Sequence, residues 1–199
     1  SPNRQEGDRI GSEPSLYWFS QTIGPGRGIE AIIQAMGRMH TPVRLHLRGF
    51  LAASYAQTLQ QLAKEEGVGD RIHVLPSAPP DQMAQLAAYH DIGLSLELTQ
   101  PLNRAICLTN KIFIYLLAGL PTLLNRTPAQ QEFAGHLEEA AVLIDIHNPE
   151  EIAGTLEAWL SHPSKLTSAR GAAWKLGQER YNWDVEQTKF LSIMEKSLR

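Results

Sequence analysis

The sequence predicts an α/β domain: a doubly wound parallel sheet of about six strands with helices on both faces. Three observations carry this reading. Short apolar or alternating runs are each followed by a run of helical period, and the pair recurs from residue 16 to residue 145. Glycine and proline clusters punctuate the joins. From Pro149 onward the pattern is helical alone.

The elements follow in order. "LYWF" (16–19) is a short apolar strand that gives way to the turn-rich "SQTIGPGRG". "IEAIIQAMGRM" (29–39) sets Ile29, Ile32, Ile33 and Met36 on one helical face. "VRLHLRG" (43–49) alternates, with Val43, Leu45 and Leu47 on one side, as a half-buried strand does. "SYAQTLQQLAKEEG" (54–67) is a surface helix closed by Gly67. "RIHVL" (71–75) is a strand, and "PPDQMAQLAAYH" (79–90) opens with prolines and an aspartate, which suits a helix start. "DIGLSLE" (91–97) is a strand, followed by the polar stretch 98–107. Then come the helix within "LTNKIFIYLLAGLP" (108–121), the strand "PTLLN" (121–125), the helical "PAQQEFAGHL" (128–137) and the strand "AVLID" (141–145). The helical tail is broken near His162–Pro163 and near Tyr181–Asn182. Trp18 and Phe19 read as core, Trp159, Trp174 and Trp183 as packing residues, and His90 and Asp91 as structural, at the edge away from any ligand.

Composition narrows the function. With 199 residues, 43% of them apolar, the chain suffices for one domain with a sizeable core. A net charge of −3 provides no basic field to hold nucleic acid or an anionic membrane. The one cysteine, Cys107, excludes an internal disulfide framework and fits a reducing compartment. No apolar run reaches membrane-spanning length, and no signal peptide is visible. None of the seven histidines forms an HxxxH or HxH pair, so no metal is expected. Residues 1–15 read as a linker, and with no initiator methionine the expectation is a domain cut from a longer protein.

In parallel sheets ligands bind beyond the carboxyl ends of the strands. Three stretches fall on that edge: the glycine loop 24–28, the stretch 76–80 and the run 97–111. Glycines in "GPGRG" let backbone N–H groups approach a phosphate, and Arg27 adds a charged fork suited to it. The spacing is not GxGxxG, and Arg48 and Gly49 end strand two where a dinucleotide site needs an acid, so a nicotinamide cofactor is disfavoured. A plain glycine turn with an exposed arginine is the alternative. In "TNK", Thr109 suits an N-cap. Lys111 follows at the second helical position, where the helix dipole disfavours a cation. A bound anion would reverse that sign; a solvated lysine is the alternative. Glu97 ends a strand at the same edge, free to meet a ligand hydroxyl, to act as a base, or to pair with Arg104.

These segments, in this order, resemble the C-terminal domain of retaining GT-B glycosyltransferases of the sucrose synthase and bacterial mannosyltransferase kind (family 1/family 4), over residues 16–198. "FSQTIGPGRGIEAIIQAM" is similar to the family's strand, basic glycine loop and helix. "RIHVLPSAPPDQMAQLAAYHDIGLSLE" is similar to the strands and helix before the donor site. "TNKIFIYLLAGLPTLL" resembles the variant "PNKLFEYLAAGLPVI", and "YNWDVEQTKFLSIMEKSL" the closing helix that crosses back to an N-terminal domain. The paired glutamates of the family fall at Ile106 and Ile114, and its frequent basic residue at Gln21.

The resemblance implies a Rossmann-like donor domain at 16–181, a linker at 1–15 and a crossing helix at 182–199 whose Trp183, Phe190 and Ile193 lack full cover. It implies a nucleotide-diphosphate sugar as substrate and no separate cofactor. Gly24, Gly26, Arg27, Gly28, Asn110 and Lys111 would meet the diphosphate. Pro76 and Ser77 would frame the nucleobase, and Glu97 and Asn103 would stand on the nucleobase or sugar side. Partners are the absent N-terminal domain and an unknown acceptor, in glycan or cell-surface polysaccharide synthesis. The location implied is cytoplasmic, with membrane association left to the absent part, and the domain alone is expected to be inactive. A degenerate homologue acting as a binding or scaffold module is the alternative, and a nucleotide-sugar epimerase is a third reading.

Overall fold

A computed structural model describes residues 13–197 of the chain. Its strands are β1 (Ser15–Ile23), β2 (Arg44–Leu51), β3 (Ile72–Leu75), β4 (Ile92–Ser95), β5 (Thr122–Asn125) and β6 (Ala141–Ile144). They form one parallel sheet in the order β3-β2-β1-β4-β5-β6. The helices are α1 (Ile29–Arg38), α2 (Ala53–Glu65), α3 (Met83–Ala88), α4 (Leu102–Ile106), α5 (Asn110–Leu117), α6 (Pro128–Ala134), α7 (Pro149–Leu160), α8 (Pro163–Glu179) and α9 (Trp183–Ser197). The expected doubly wound architecture is present.

Strand periodicity divides the core. Leu16, Trp18, Leu45, Leu47, Ile92 and Leu94 point to one face, where they pack with α1, α2 and α7. Tyr17 and partly buried Phe19 point to the other, against Met83 and Ala87 of α3 and Tyr115 of α5. Farther along that face Ile112, Leu116 and Leu124 meet Ala173 of α8. In α5 the buried Ile112, Tyr115 and Leu116 follow the three–four spacing of an amphipathic helix. The Tyr115 hydroxyl donates toward the carbonyls of Tyr17 (3.1 Å) and Leu94 (3.2 Å), which ties the helix to both central strands.

Four local expectations need correction. β1 runs to Ile23, because the "turn-rich" residues stay in the sheet through a bulge between Phe19 and Thr22. A bulge kinks a strand and re-aims its side chains, often beside a site. Gly49 (φ 147°) makes room for it, since a Cβ there would collide with the Ser20 carbonyl. Segment 79–90 starts as a 3₁₀ turn, Pro80–Gln82, before α3. The polar stretch 98–107 contains α4. Trp183 does not pack: it is 69% exposed, with Phe190 (57%) and Ile193 (63%) on the same helix, whereas Trp159 and Trp174 are half-buried. That exposure matches the apolar face expected of 182–199. Residues 1–12 of the expected linker lie outside the described residues, while Glu13 pairs with Arg44 (2.9 Å) and Ser15 opens β1. Among the described residues no helix is long and apolar enough to cross a membrane.

His90 and Asp91 are structural, as read. Asp91 Oδ2 accepts from the Ser15 N–H (2.8 Å) and hydroxyl (3.2 Å), locking β4 to the start of β1. The His90 ring stacks on Tyr17 (4.3 Å) and stands 4.8 Å from His46, which stacks on His73 across the β2–β3 register (4.9 Å). Burial, then the charges of His73, Arg44 and Arg48, push the His46 pKa down to about 4. A histidine that folds in its neutral form contributes full stability above its unfolded value, near 6.5, and loses it as pH falls toward 4. Unfolding free energy should therefore decline from pH 6.5 to 4. In His46→Phe that decline should be shallower by up to one proton's worth of slope. Urea titrations across this window measure it; an unchanged slope would show that other groups set the acid limb.

Candidate functional site

Strand order reverses between β1 and β4, so the connections that leave their carboxyl ends diverge and open a crevice. A cavity of about 400 Å³ occupies it. Phe19, Ser20 and Gln21 of β1 and Arg48 of β2 form one wall. Thr109, Asn110, Lys111 and Ile114, at the start of α5, form the facing one. Ser77, Ala78, Pro80 and Met83 close the side after β3. The bulge of β1 is what brings Ser20 and Gln21 to the rim.

Lys111 lies at the second position of α5, as its sequence position requires, but it is not solvated. Its ammonium donates to Glu97 Oε1 at 2.8 Å and stands 5.6 Å from the Trp18 ring centroid. Lys111 is 8% exposed and Glu97 is 7% exposed. Glu97 therefore pairs with Lys111 rather than with Arg104. The Glu97 carbonyl accepts from Asn125 Nδ2 (2.7 Å), and Asn125 Oδ1 accepts from the Ile146 N–H (3.0 Å). One buried chain of polar contacts thus links the segments after β4 and β6 and the end of β5 to α5. Thr109 occupies the N-cap position without making the cap bond; its Oγ1 is buried and unpartnered beside the cavity.

Of the residues singled out from sequence, Ser77, Asn110 and Lys111 line the cavity. Glu97 sits behind Lys111. Pro76 turns its carbonyl to Arg48 Nη1 (2.7 Å). Gly24, Gly26, Arg27 and Gly28 form the neighbouring loop and are not part of the cavity lining. Gly28 (φ 76°) caps α1 and presses on the segment just after β4, where a Cβ would stand 2.8 Å from Leu96 Cβ. Arg104 donates to the Gly26 carbonyl (2.6 Å) and so ties this loop to α4. Arg27 is half-buried, and Asn103 is exposed on α4. Of the two isoleucines, Ile114 faces the cavity, while Ile106 is 60% exposed and borders a second hollow of about 360 Å³ against α6.

Sequence reading missed Arg48 as a site residue. Its Nε donates to the Tyr17 hydroxyl (2.8 Å), whose own ionisation is pushed up by burial and partly offset by the guanidinium. The signal was present: in "VRLHLRG", Arg48 alternates with the core leucines and falls in the carboxyl half of β2. Among the described residues no group of three or more histidine, cysteine or acidic side chains is placed to hold a metal ion.

This sheet order, with its cavity at the reversal, is the Rossmann-like fold of GT-B glycosyltransferase domains. Residues 27–192 match the family model described as "Glycosyl transferase-like", and the chain belongs to that family. It is similar in fold to Anabaena Alr3699/HepE in complex with UDP, with 16% identity over 92% of this chain and 49% of that one (TM-score 0.78). It is similar also to sucrose-phosphate synthase from Thermosynechococcus elongatus, with 16% identity, 94% and 46% coverage and a TM-score of 0.77. The C-terminal domain of a group 1 glycosyl transferase (LpcC) from Francisella tularensis matches over 88% of this chain and 89% of its own, at 13% identity and a TM-score of 0.67. The chain thus spans about half the length of the first two structures (49% and 46%) and most of the third. None of the curated proteins matches it.

The buried pair predicts a stability signature. Lys111→Met strands the Glu97 carboxylate and should cost about 3–5 kcal/mol. Replacing both, Glu97→Leu with Lys111→Met, should recover most of that loss. Urea unfolding of the three variants tests this, and a single-variant cost under about 1 kcal/mol would mean a solvated pair.

Proposed function

We propose that this domain binds the nucleotide half of a nucleotide-diphosphate sugar and that the full protein transfers the sugar to an acceptor. One observation carries the reading. The cavity at the strand-order reversal has as one wall the start of α5, whose first N–H groups lack helical partners and stand beside Asn110 and the Glu97-paired ammonium of Lys111, with no carboxylate among its lining residues. Such walls favour an anion. That the HepE structures hold UDP and UDP-glucose supports the choice of anion.

In this reading the diphosphate lies at the start of α5, over Asn110 and Lys111, with the Gly24–Gly28 loop and Arg27 on its outer side. Charge on the departing diphosphate is stabilised by donors already in place, so little reorganisation accompanies bond breaking. Ser77 and the loop from Pro76 frame the nucleobase, and Asn103 faces the sugar side from α4. Glu97 positions Lys111. Retention of anomeric configuration is the outcome expected of this family type, in glycan or cell-surface polysaccharide synthesis. The acceptor is bound by an N-terminal domain, against which the exposed apolar face of α9 packs, and residues 13–197 alone have no turnover. The comparisons lend no support to the non-catalytic alternative.

Asn110→Asp is the cleanest variant. An acid at the first position of α5 favours the helix dipole, so the fold is retained, while the cavity gains a negative charge. Calorimetry should give saturable binding of at least one nucleoside diphosphate to the parent chain, weakened roughly tenfold or more in the variant, a difference of about 1.4 kcal/mol. Absence of binding by every nucleoside diphosphate, or equal affinity in the variant, would remove the nucleotide reading.

A further inference from the structure

We propose that Arg48 selects the nucleobase. Its guanidinium reads a carbonyl oxygen on the base edge remote from the phosphates and so favours keto bases (uracil, thymine, guanine) over amino bases (cytosine, adenine). The inference rests on the nucleotide reading above and adds the class of donor.

Arg48 is held before any ligand arrives. Nε donates to the hydroxyl of Tyr17, a fully buried side chain, at 2.8 Å, and Nη1 donates to the Pro76 carbonyl at 2.7 Å. Two bonds from one planar group fix its plane. Both acceptors are neutral, and Arg48 forms no ion pair among the described residues, so its charge is unspent. A guanidinium has five N–H donors and no acceptor. Two are used; those that remain can meet a carbonyl oxygen or a ring nitrogen but not an amino group, so discrimination rests on the exocyclic position they face.

Position decides which oxygen. The chain reaches the start of α5 from β4 by way of α4, and Arg48 lies in the carboxyl half of β2, with β1 between those two strands in the sheet. Two strand spacings separate β4 from β2, about 10 Å, roughly the span of a nucleoside, and the start of α5 and Arg48 line opposite walls of one cavity. The pyrimidine atom at the far end of that span is the 4-substituent, and in a purine it is the 6-substituent. These are oxygen in uracil and guanine, nitrogen in cytosine and adenine. Pro80, Met83 and Ile114 supply apolar faces for a flat ring between the two ends. Ser77 lines the same end, but its hydroxyl donates or accepts, so discrimination falls to Arg48.

UDP and CDP differ at this one edge and make the test pair, with inorganic pyrophosphate as the probe of the phosphate end. In calorimetric titrations the parent chain should bind UDP roughly tenfold or more tighter than CDP. In Arg48→Met the ratio should fall to about one while pyrophosphate affinity holds. Loosening of the 76–80 loop would weaken both nucleotides together, so the ratio separates recognition from structure. Arg48→Lys, which keeps the charge but not the fork, should lie between and carries the test if the methionine variant does not fold. Equal UDP and CDP affinity in the parent, or a ratio that survives in Arg48→Met, overturns the inference and leaves the nucleotide reading standing. A matching loss of pyrophosphate binding overturns it too, making Arg48 a phosphate ligand. If no nucleotide binds at all, the nucleotide reading fails and this inference falls with it.

Discussion

A parallel sheet whose strand order reverses must open at the reversal. Here β1 and β4 are neighbours, yet the chain leaves β1 toward α1 on one face and leaves β4 toward α5 on the other. Everything distinctive in the molecule answers that opening. The bulge of β1 fills part of its rim, Arg48 closes it from β2, and Arg104 of α4 reaches over to the Gly26 carbonyl. Helix α5 starts at its margin with backbone N–H groups that have no partners inside the helix.

The margin is stabilised from below by the Glu97–Lys111 pair. A lysine in the first helical turn opposes the dipole, and burying it would cost far more if it stood alone. Glu97 lies two residues beyond β4, on which α5 packs, so the two charges meet only when helix and sheet are docked in register. The same glutamate's carbonyl takes Asn125, and Asn125 takes Ile146. A polar chain of this kind adds little net stability compared with an apolar substitute, but a mispacked version leaves charges stranded. It therefore penalises wrong registers of α5 more than it rewards the right one.

The sheet and its helices were legible because each depends on local period. Alternation in "VRLHLRG" and the three–four spacing in α1 survive into the structure with ends shifted by a residue or two. Features set by distant partners were not legible in the same way. The misfit of Lys111 with the dipole could be read from the sequence, but its resolution by Glu97, fourteen residues earlier, required the sheet to bring them together. The same holds for β1: "SQTIG" has turn composition, yet β2 holds it in the ladder because Gly49 leaves room for the bulge. Arg48 carried a readable signal in its alternation and was passed over because only an acid was sought there. The exposure of Trp183, Phe190 and Ile193 on α9 was expected from the family resemblance of the closing helix rather than from its local period.

The cavity's charge follows from what stands where carboxylates were expected. The family resemblance put glutamates at 106 and 114. Ile106 is solvent-facing on α4, away from the cavity, so its change bears on the outer hollow. Ile114 faces inward, and an isoleucine there removes both a hydroxyl acceptor and a negative charge from the wall. With Lys111 neutralised by Glu97, the missing charge leaves Arg48 as the cation of the lining that lacks a counter-ion. Another polar group stands close by. Thr109 Oγ1 is buried, lines the cavity and has no partner, and it withholds the cap bond its position would allow. A buried hydroxyl left unbonded is costly unless something completes it. A ligand hydroxyl at the start of α5 would do so, at the place where the apolar wall of Ile114 offers no bond of its own.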